Sequence, residues 1–296
     1  MAHPVAKSLV GFFIVAALLV ATAVVFTLSQ PATPPPPLPR PNGYDDFVKA
    51  GGMVTSEPSG YRVMSEEELR AFVKKNAEVL KLARVGLGRE CRVPPDYSVT
   101  NATHSQDLAC IKWLAYTFTA QGRLSEMENR PGDAAESYLG TVRLGHAITQ
   151  GGVIIESLVG LTIESIGMAR LETLARNLDA KQCRELASAL ETVESGRELA
   201  ETVLEREHVW DRRIRGFRGQ IDRLVRFKTV QQVEQKWAGR VKAQQARTRS
   251  LLLQLAARAY KLENGERPKS LANLVPAYLK AIPKDPLTGT NMAYRP

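Results

Sequence analysis

The sequence predicts a mainly α protein: an N-terminal transmembrane helix, a Pro-rich stalk, and a multi-helix bundle ending in a small C-terminal α+β-like cap. Three observations predict it. Leu9–Leu28 carries no charge, and twenty residues at 1.5 Å each span about 30 Å, the hydrocarbon thickness of a bilayer. Pro31–Pro41 (PATPPPPLPRP) is dominated by proline. From Ser65 onward, apolar residues recur at three- and four-residue steps, punctuated by Gly and Pro. The chain is 44% hydrophobic but only 6% aromatic, so its core is expected to be rich in Leu, Ala and Val.

Residues 1–8 form a short N-terminus with Lys7 next to the 9–28 span, and no charge follows until Arg40. That bias keeps the N-terminus in the cytoplasm and sends the body out, as a single-pass protein of the inner membrane. Ala21-Thr22-Ala23 is the rival, a signal-peptide cleavage site. The apolar run continues through Leu28 and favours the uncleaved anchor. Residues 29–64 read as stalk and linker. The proline stretch is extended, about 34 Å at ~3.1 Å per residue, and Asn42–Met64 is Gly-rich and irregular.

Residues 65–247 read as the bundle. Ser65 and Glu68 form a capping box for a helix to Arg84, with Leu69, Phe72, Val73, Leu80 and Ala83 on one face. Ser105–Glu128 follows, with Leu108, Ile111, Leu114, Ala115 and Phe118 inward. Pro131-Gly132 breaks the chain, and Asp133 with Glu136 caps a helix through Thr149. Val153–Leu178 is the most apolar internal stretch and reads as the central helix, where Gly160 and Gly167 admit close neighbours. Its Glu156, Glu164 and Glu172 are eight residues apart, so each step rotates about 80°. They share no face, and solvent or groove positions are expected. Asp179 with Gln182 starts a helix running past Leu204. Glu205–Ala246 stays helix-compatible, with Ile221, Val225, Val233, Trp237 and Val241 among its apolar partners. A break is expected near Gly216–Gly219 or at Gly239.

Residues 248–296 form the cap. Leu252, Leu255, Ala256, Ala259 and Leu262 keep helical spacing until Asn264-Gly265 stops the helix. Ser270 caps a short second helix over Leu271, Leu274 and Val275. Pro283, Asp285-Pro286 and Thr288-Gly289 are turn chemistry, and Asn291–Arg295 reads as a short strand. The string Tyr260–Gly265, Pro268, Leu271, Leu274, Pro276, Tyr278-Leu279, Ile282-Pro283, Asp285-Pro286, Gly289 and Tyr294 resembles the C-terminal region of major pseudopilins of type II secretion. The same ending occurs on other membrane-anchored bacterial envelope proteins. The resemblance implies a helix followed by a small sheet, on an envelope protein. Two departures limit it. The pseudopilin pattern continues into a calcium-binding loop, whereas this sequence stops at Pro296. A prepilin carries Glu five residues after its processed Gly, whereas Gly11 here is followed at that place by Ala16. Neither calcium binding nor pilus assembly is carried over.

Chemistry-bearing motifs are sparse. No GxSxG, SxxK, HExxH or P-loop string is present. Cys91, Cys110 and Cys183 lack zinc-ligand spacing. Cys91–Cys110 is the nearest pair for a disulfide, and Cys183 sits on an apolar face with Leu186, Ala187 and Leu190. Glu205-x-x-His208 is one half of a di-iron step, but a carboxylate di-iron bundle needs a second such step and further glutamates. Surface ion pairing is the expected role, and no cofactor or metal is called for. The strongest binding feature is electrostatic. Arg212–Arg249 holds twelve cations and two anions, hence +10 in a chain of net +9. Arg212, Arg213, Arg215, Arg218, Arg223 and Arg226 are the candidate polyanion-binding residues. Three functions are expected, in order. The first is a non-enzymatic, membrane-anchored envelope scaffold or assembly protein. The second is a binding module for anionic lipid, cell-wall polymer or an acidic partner. The third is an enzyme with a groove beside residues 153–178. Nucleic acid is disfavoured as a partner, because the expected topology puts the cations outside the cytoplasm.

Overall fold

The computed structural model describes residues 37–56, 58–96 and 102–294, with isolated positions Val15, Leu18, Leu19 and Thr22. Side chains of residues 59, 102–103, 217–220 and 222–224 are outside the description. The expected anchor and most of the stalk therefore lie outside the described residues. Among those residues no helix is long and apolar enough to cross a membrane.

The order of helices is α1 (Gly43–Gly52), α2 (Glu66–Lys75), α3 (Ala77–Leu87), α4 (Ala102–Met127), α5 (Pro131–Ala147), α6 (Ile154–Leu174), α7 (Ala180–Ser195), α8 (Ala200–Val225) and α9 (Phe227–Asn264), with 3-10 turns at Pro58–Arg62, Ala175–Asn177 and Leu271–Leu274. The protein is mainly α, and its body is a helical bundle.

The bundle begins earlier than the sequence suggests. Residues 42–64 are not an irregular linker. Asn42 accepts the Tyr44 N–H and starts α1, which buries Tyr44, Phe47 and Ala50 against α3 and α4. Tyr61, in the following 3-10 turn, is buried with Leu69, Phe72, Ala120 and Leu124. Two short apolar groups embedded among Gly and Pro carry too little periodicity to be read as helix, yet they fill gaps that longer helices leave. The predicted helix 65–84 is two helices. Ser65 and Glu68 make the capping box, and the chain turns at Asn76. There the side-chain amide donates to the Phe72 carbonyl at 3.0 Å and its oxygen accepts from Thr55 N–H at 3.2 Å.

α4, α5 and α6 form the centre, with α5 packed against both neighbours. α5 begins at Pro131 in the first helical position, where its missing N–H costs nothing, rather than at an Asp133–Glu136 box. α6 crosses α5 backbone to backbone. A Cβ on Gly160 would stand 2.5 Å from the Gly145 carbonyl oxygen, and one on Gly167 would stand 2.7 Å from that of Tyr138. α7 starts at the expected Asp179–Gln182 capping box and stops at Ser195, well short of Leu204. It packs on α9 around Cys183, Leu186, Leu190, Leu252, Leu255 and Ala259. All three cysteines are free thiols.

α8 and α9 run antiparallel: Val203 packs with Trp237 and Val241, and further out His208 meets Glu234 at 3.1 Å. Non-helical geometry at Gly216 (φ 57°, ψ −148°) and a turn at Arg226 divide the connection. Gly239 stays inside α9 without a break. α9 is 38 residues, about 57 Å at 1.5 Å per residue. It runs parallel to α6, joined to it by Trp237–Ser157 (2.9 Å), Gln244–Ser165 (3.1 Å) and Arg247–Glu172 (2.6 and 2.7 Å).

Gly265 closes α9 in the left-handed region (φ 78°). The tail then folds back, burying Leu274 and Leu279 in the α7–α9 core. The α+β-like cap is not formed among the described residues. Asn291 makes one isolated bridge to Lys284, and no strand follows. Asp285 and Thr290 close a tight turn instead, with Asp285 N–H to Thr290 oxygen at 2.7 Å. The tail's backbone groups close local turns or meet bundle side chains, as Lys280 N–H does with Glu191 at 2.9 Å, and Leu274 and Leu279 rather than a strand fix it to the helices.

Candidate functional site

Three places hold chemistry: a buried charge cluster, a cavity at the start of α6, and the outer end of the α8–α9 hairpin.

Of the α6 glutamates, expected at solvent or groove positions, Glu156 borders the cavity beside α6 and Glu172 is partly exposed, whereas Glu164 is fully buried. Each cross-links a different partner, as their 80° steps allow. Glu164 is 0% exposed and takes both guanidinium nitrogens of Arg197, at 3.2 and 2.8 Å. Arg197 comes from the link between α7 and α8 and lies 3.5 Å from Glu194, which in turn binds Arg249 at 2.7 Å. The cluster is neutral, two carboxylates against two guanidiniums. Burial pushes the Glu164 carboxyl up, and Arg197 works against that. Glu172 holds Arg247 nearer the surface. Arg247 and Arg249 are therefore consumed by the fold and are not part of a basic surface.

His146 borders this cluster. Its Nε2 lies 3.3 Å from the Gln150 amide nitrogen, and its Nδ1 is buried without a partner. Burial, with Arg197 nearby, lowers its pKa to about 4. The imidazole is neutral in the folded protein at neutral pH. A folded-state pKa below the unfolded one stabilises above about 6.5, and that stability is lost as pH falls through about 4. The shift corresponds to roughly 3 kcal/mol. Urea titrations should show that loss between pH 6.5 and 4, and His146→Asn should flatten this part of the curve. An unchanged acid limb in the variant would place the acid sensitivity elsewhere.

The cavity lies where the third expected function put it, beside α6. It encloses about 280 Å³, walled by Val93, Pro94, Ile154, Leu158 and Trp210, with His104 and Glu156 at its polar side. Glu156 hydrogen-bonds His104 through one oxygen and accepts the Val153 N–H at 2.6 Å through the other. The bond to Glu156 raises the His104 pKa. The next N–H, of Ile154, goes to Glu207 at 3.0 Å. Arg206 binds Glu198 at 2.7 Å and the Gly152 carbonyl, and Trp210 donates to the Asp96 carbonyl at 2.6 Å. These groups fasten α8 to the loops beneath it. His104 and Glu156 are 52 residues apart in sequence, so no local pattern announces them. Of the Glu205-x-x-His208 step, His208 lies 3.1 Å from Glu234, and beyond the step Asp211 pairs with Arg215 at 3.2 Å.

The predicted polyanion residues all belong to the outer half of the hairpin. Arg213, Arg215 and Arg226 are exposed, Arg212 is half-buried, and the side chains of Arg218 and Arg223 lie outside the described residues. The apolar side chains around them are not the packing partners the periodicity suggests. Trp237 and Val241 are buried, but Ile221 is 45% exposed, Val225 79%, Phe227 59% and Val233 52%. Among the described side chains, the apolar spacing continues past the packed base of the hairpin. Lys228 next to Phe227 is exposed as well. No protein-family model, curated protein or solved structure matches this chain.

Proposed function

We propose that the protein is a non-enzymatic, membrane-anchored scaffold of the cell envelope. In this reading residues 9–28 form a single-pass anchor in the inner membrane and the proline stretch holds the bundle off it. The α8–α9 hairpin is the surface offered to a partner. The observation that carries the reading is that hairpin: its base is packed onto α6, while Arg213, Arg215, Arg226 and Lys228 of its outer half are exposed. The uncharged span, the stalk and the pseudopilin-like tail sequence support the location. The enzyme reading has a cavity but is weaker, because both oxygens of Glu156 are engaged in holding the start of α6 and His104.

The test is protease accessibility of a C-terminally tagged chain in intact cells and in spheroplasts. Cleavage of the body once the outer barrier is opened, with the tagged chain at full length beforehand, is the expected result. A body protected until the inner membrane is lysed would invert the topology, place the cations in the cytoplasm and make nucleic acid the leading partner.

A further inference from the structure

We propose that the outer end of the α8–α9 hairpin is a wedge for a bilayer surface bearing anionic phospholipid. The inference rests on the hairpin being the working surface, and it narrows that surface to one class of partner.

The argument begins with what is exposed together. Val225 and Phe227 flank the turn residue Arg226, and Lys228 follows at once. Ile221, one turn before Val225 on α8, is exposed on the same face, and Val233 is exposed further along α9. Large apolar side chains exposed singly are ordinary, but a contiguous apolar group rimmed by cations marks an interaction site. The group lies beyond the packed part of the hairpin. Ten residues separate Phe227 from the buried Trp237, so α9 continues about 15 Å past its last core contact. Within that overhang α9 meets α8 through His208 and Glu234 at 3.1 Å, while Phe227 and Val233 stay exposed.

An acidic protein face would match the positive charge of this end but would leave Val225 and Phe227 facing charge. A polyanionic cell-wall polymer has the same defect. A bilayer interface provides both environments at once: acyl boundary for the apolar side chains and phosphate for Arg226 and Lys228. Burial of apolar area and attraction to anionic headgroups add in that setting. Long cationic side chains reach headgroups while their methylenes stay in the apolar layer.

The experiment is hydrogen exchange of the full chain in vesicles of phosphatidylcholine alone and of phosphatidylcholine mixed with phosphatidylglycerol. Amides of residues 225–233 should exchange about tenfold more slowly in the anionic vesicles. Salt at roughly 0.5 M should remove most of the difference, since exposed charges are then screened beyond a few ångströms. Val225→Ser/Phe227→Ser and Arg226→Glu/Lys228→Glu should each abolish it. These side chains make no core contact, so the variants keep the fold, and unchanged exchange across α5 and α6 confirms that. Equal exchange in the two vesicles, or protection that survives both double variants, overturns the proposal. Protection brought on by polyglutamate rather than by phosphatidylglycerol overturns it in favour of an acidic protein partner. Topology does not enter this readout, so an inverted orientation would sink the envelope reading without touching the wedge.

Discussion

Arg197→Ala should lower the free energy of unfolding by roughly 3–5 kcal/mol, the cost of leaving a buried carboxylate without its partner. Glu164 has no exposure, and removing Arg197 deletes both of its guanidinium hydrogen bonds. Glu194 keeps Arg249, so the loss concentrates on Glu164. The reverse change, Glu164→Ala, should cost a similar amount. Glu164→Leu/Arg197→Met, which removes both charges and keeps volume, should recover most of it, because a buried pair and an apolar pair of like volume are often close in stability. Urea unfolding monitored by circular dichroism measures all three. A single variant within about 1 kcal/mol of the parent would show that water reaches Glu164. The cluster would then be a surface pair, of the kind usually worth less than ~1 kcal/mol.

Gly160→Ala and Gly239→Ala should move stability in opposite directions although both replace glycine inside a helix. At Gly239 nothing lies within 4 Å of the added methyl, and Ala should gain about 0.5–1 kcal/mol from reduced chain entropy. At Gly160 the methyl would stand 2.5 Å from the Gly145 carbonyl oxygen and 2.5 Å from Thr149 Cγ2. The obstacle is backbone, which cannot swing aside, so α5 and α6 must separate along the crossing. Overpacking of this kind costs about 1–3 kcal/mol, and separation also disturbs Glu164, whose N–H lies 2.6 Å from a Cβ built on Gly145. A net loss of roughly 2 kcal/mol is expected. A stabilised Gly160→Ala protein would mean the helices cross further apart than described.

The parts of this fold legible in sequence are those fixed by local chemistry. The Ser65–Glu68 and Asp179–Gln182 boxes and the Gly265 stop follow from neighbouring residues alone; for the break the sequence offers Gly216–Gly219 or Gly239, and only the first is used. The small residues Gly160 and Gly167 announce a close crossing, but not that Gly145 lies opposite. What was not legible depends on separation. Arg197 looks like any surface arginine until the turn after α7 brings it to Glu164, 33 residues away. α1 was hidden because its three core residues sit among glycines and are justified by cavities formed by α3 and α4. The candidate site was half legible. Cation density located the hairpin, whereas the exposure of Val225 and Phe227 could not be read, because periodicity says which residues share a face and not whether anything covers it. Arg247 and Arg249 show the converse, cations in a basic run that the fold spends on Glu172 and Glu194.

The three polar pins between α6 and α9 have a mechanical consequence. Ser157, Ser165 and Glu172 meet Trp237, Gln244 and Arg247 in matching order along parallel helices. Sliding α9 by one turn would break every one of them, so the helix cannot ratchet past its neighbour in small steps. Downstream, the same rod anchors the tail through Arg249, which donates to the Lys284 carbonyl at 2.6 Å. A load at the outer end would therefore pass along α9 to α6 and the folded-back tail, with the outer end and the C-terminal segment as two ends of one lever.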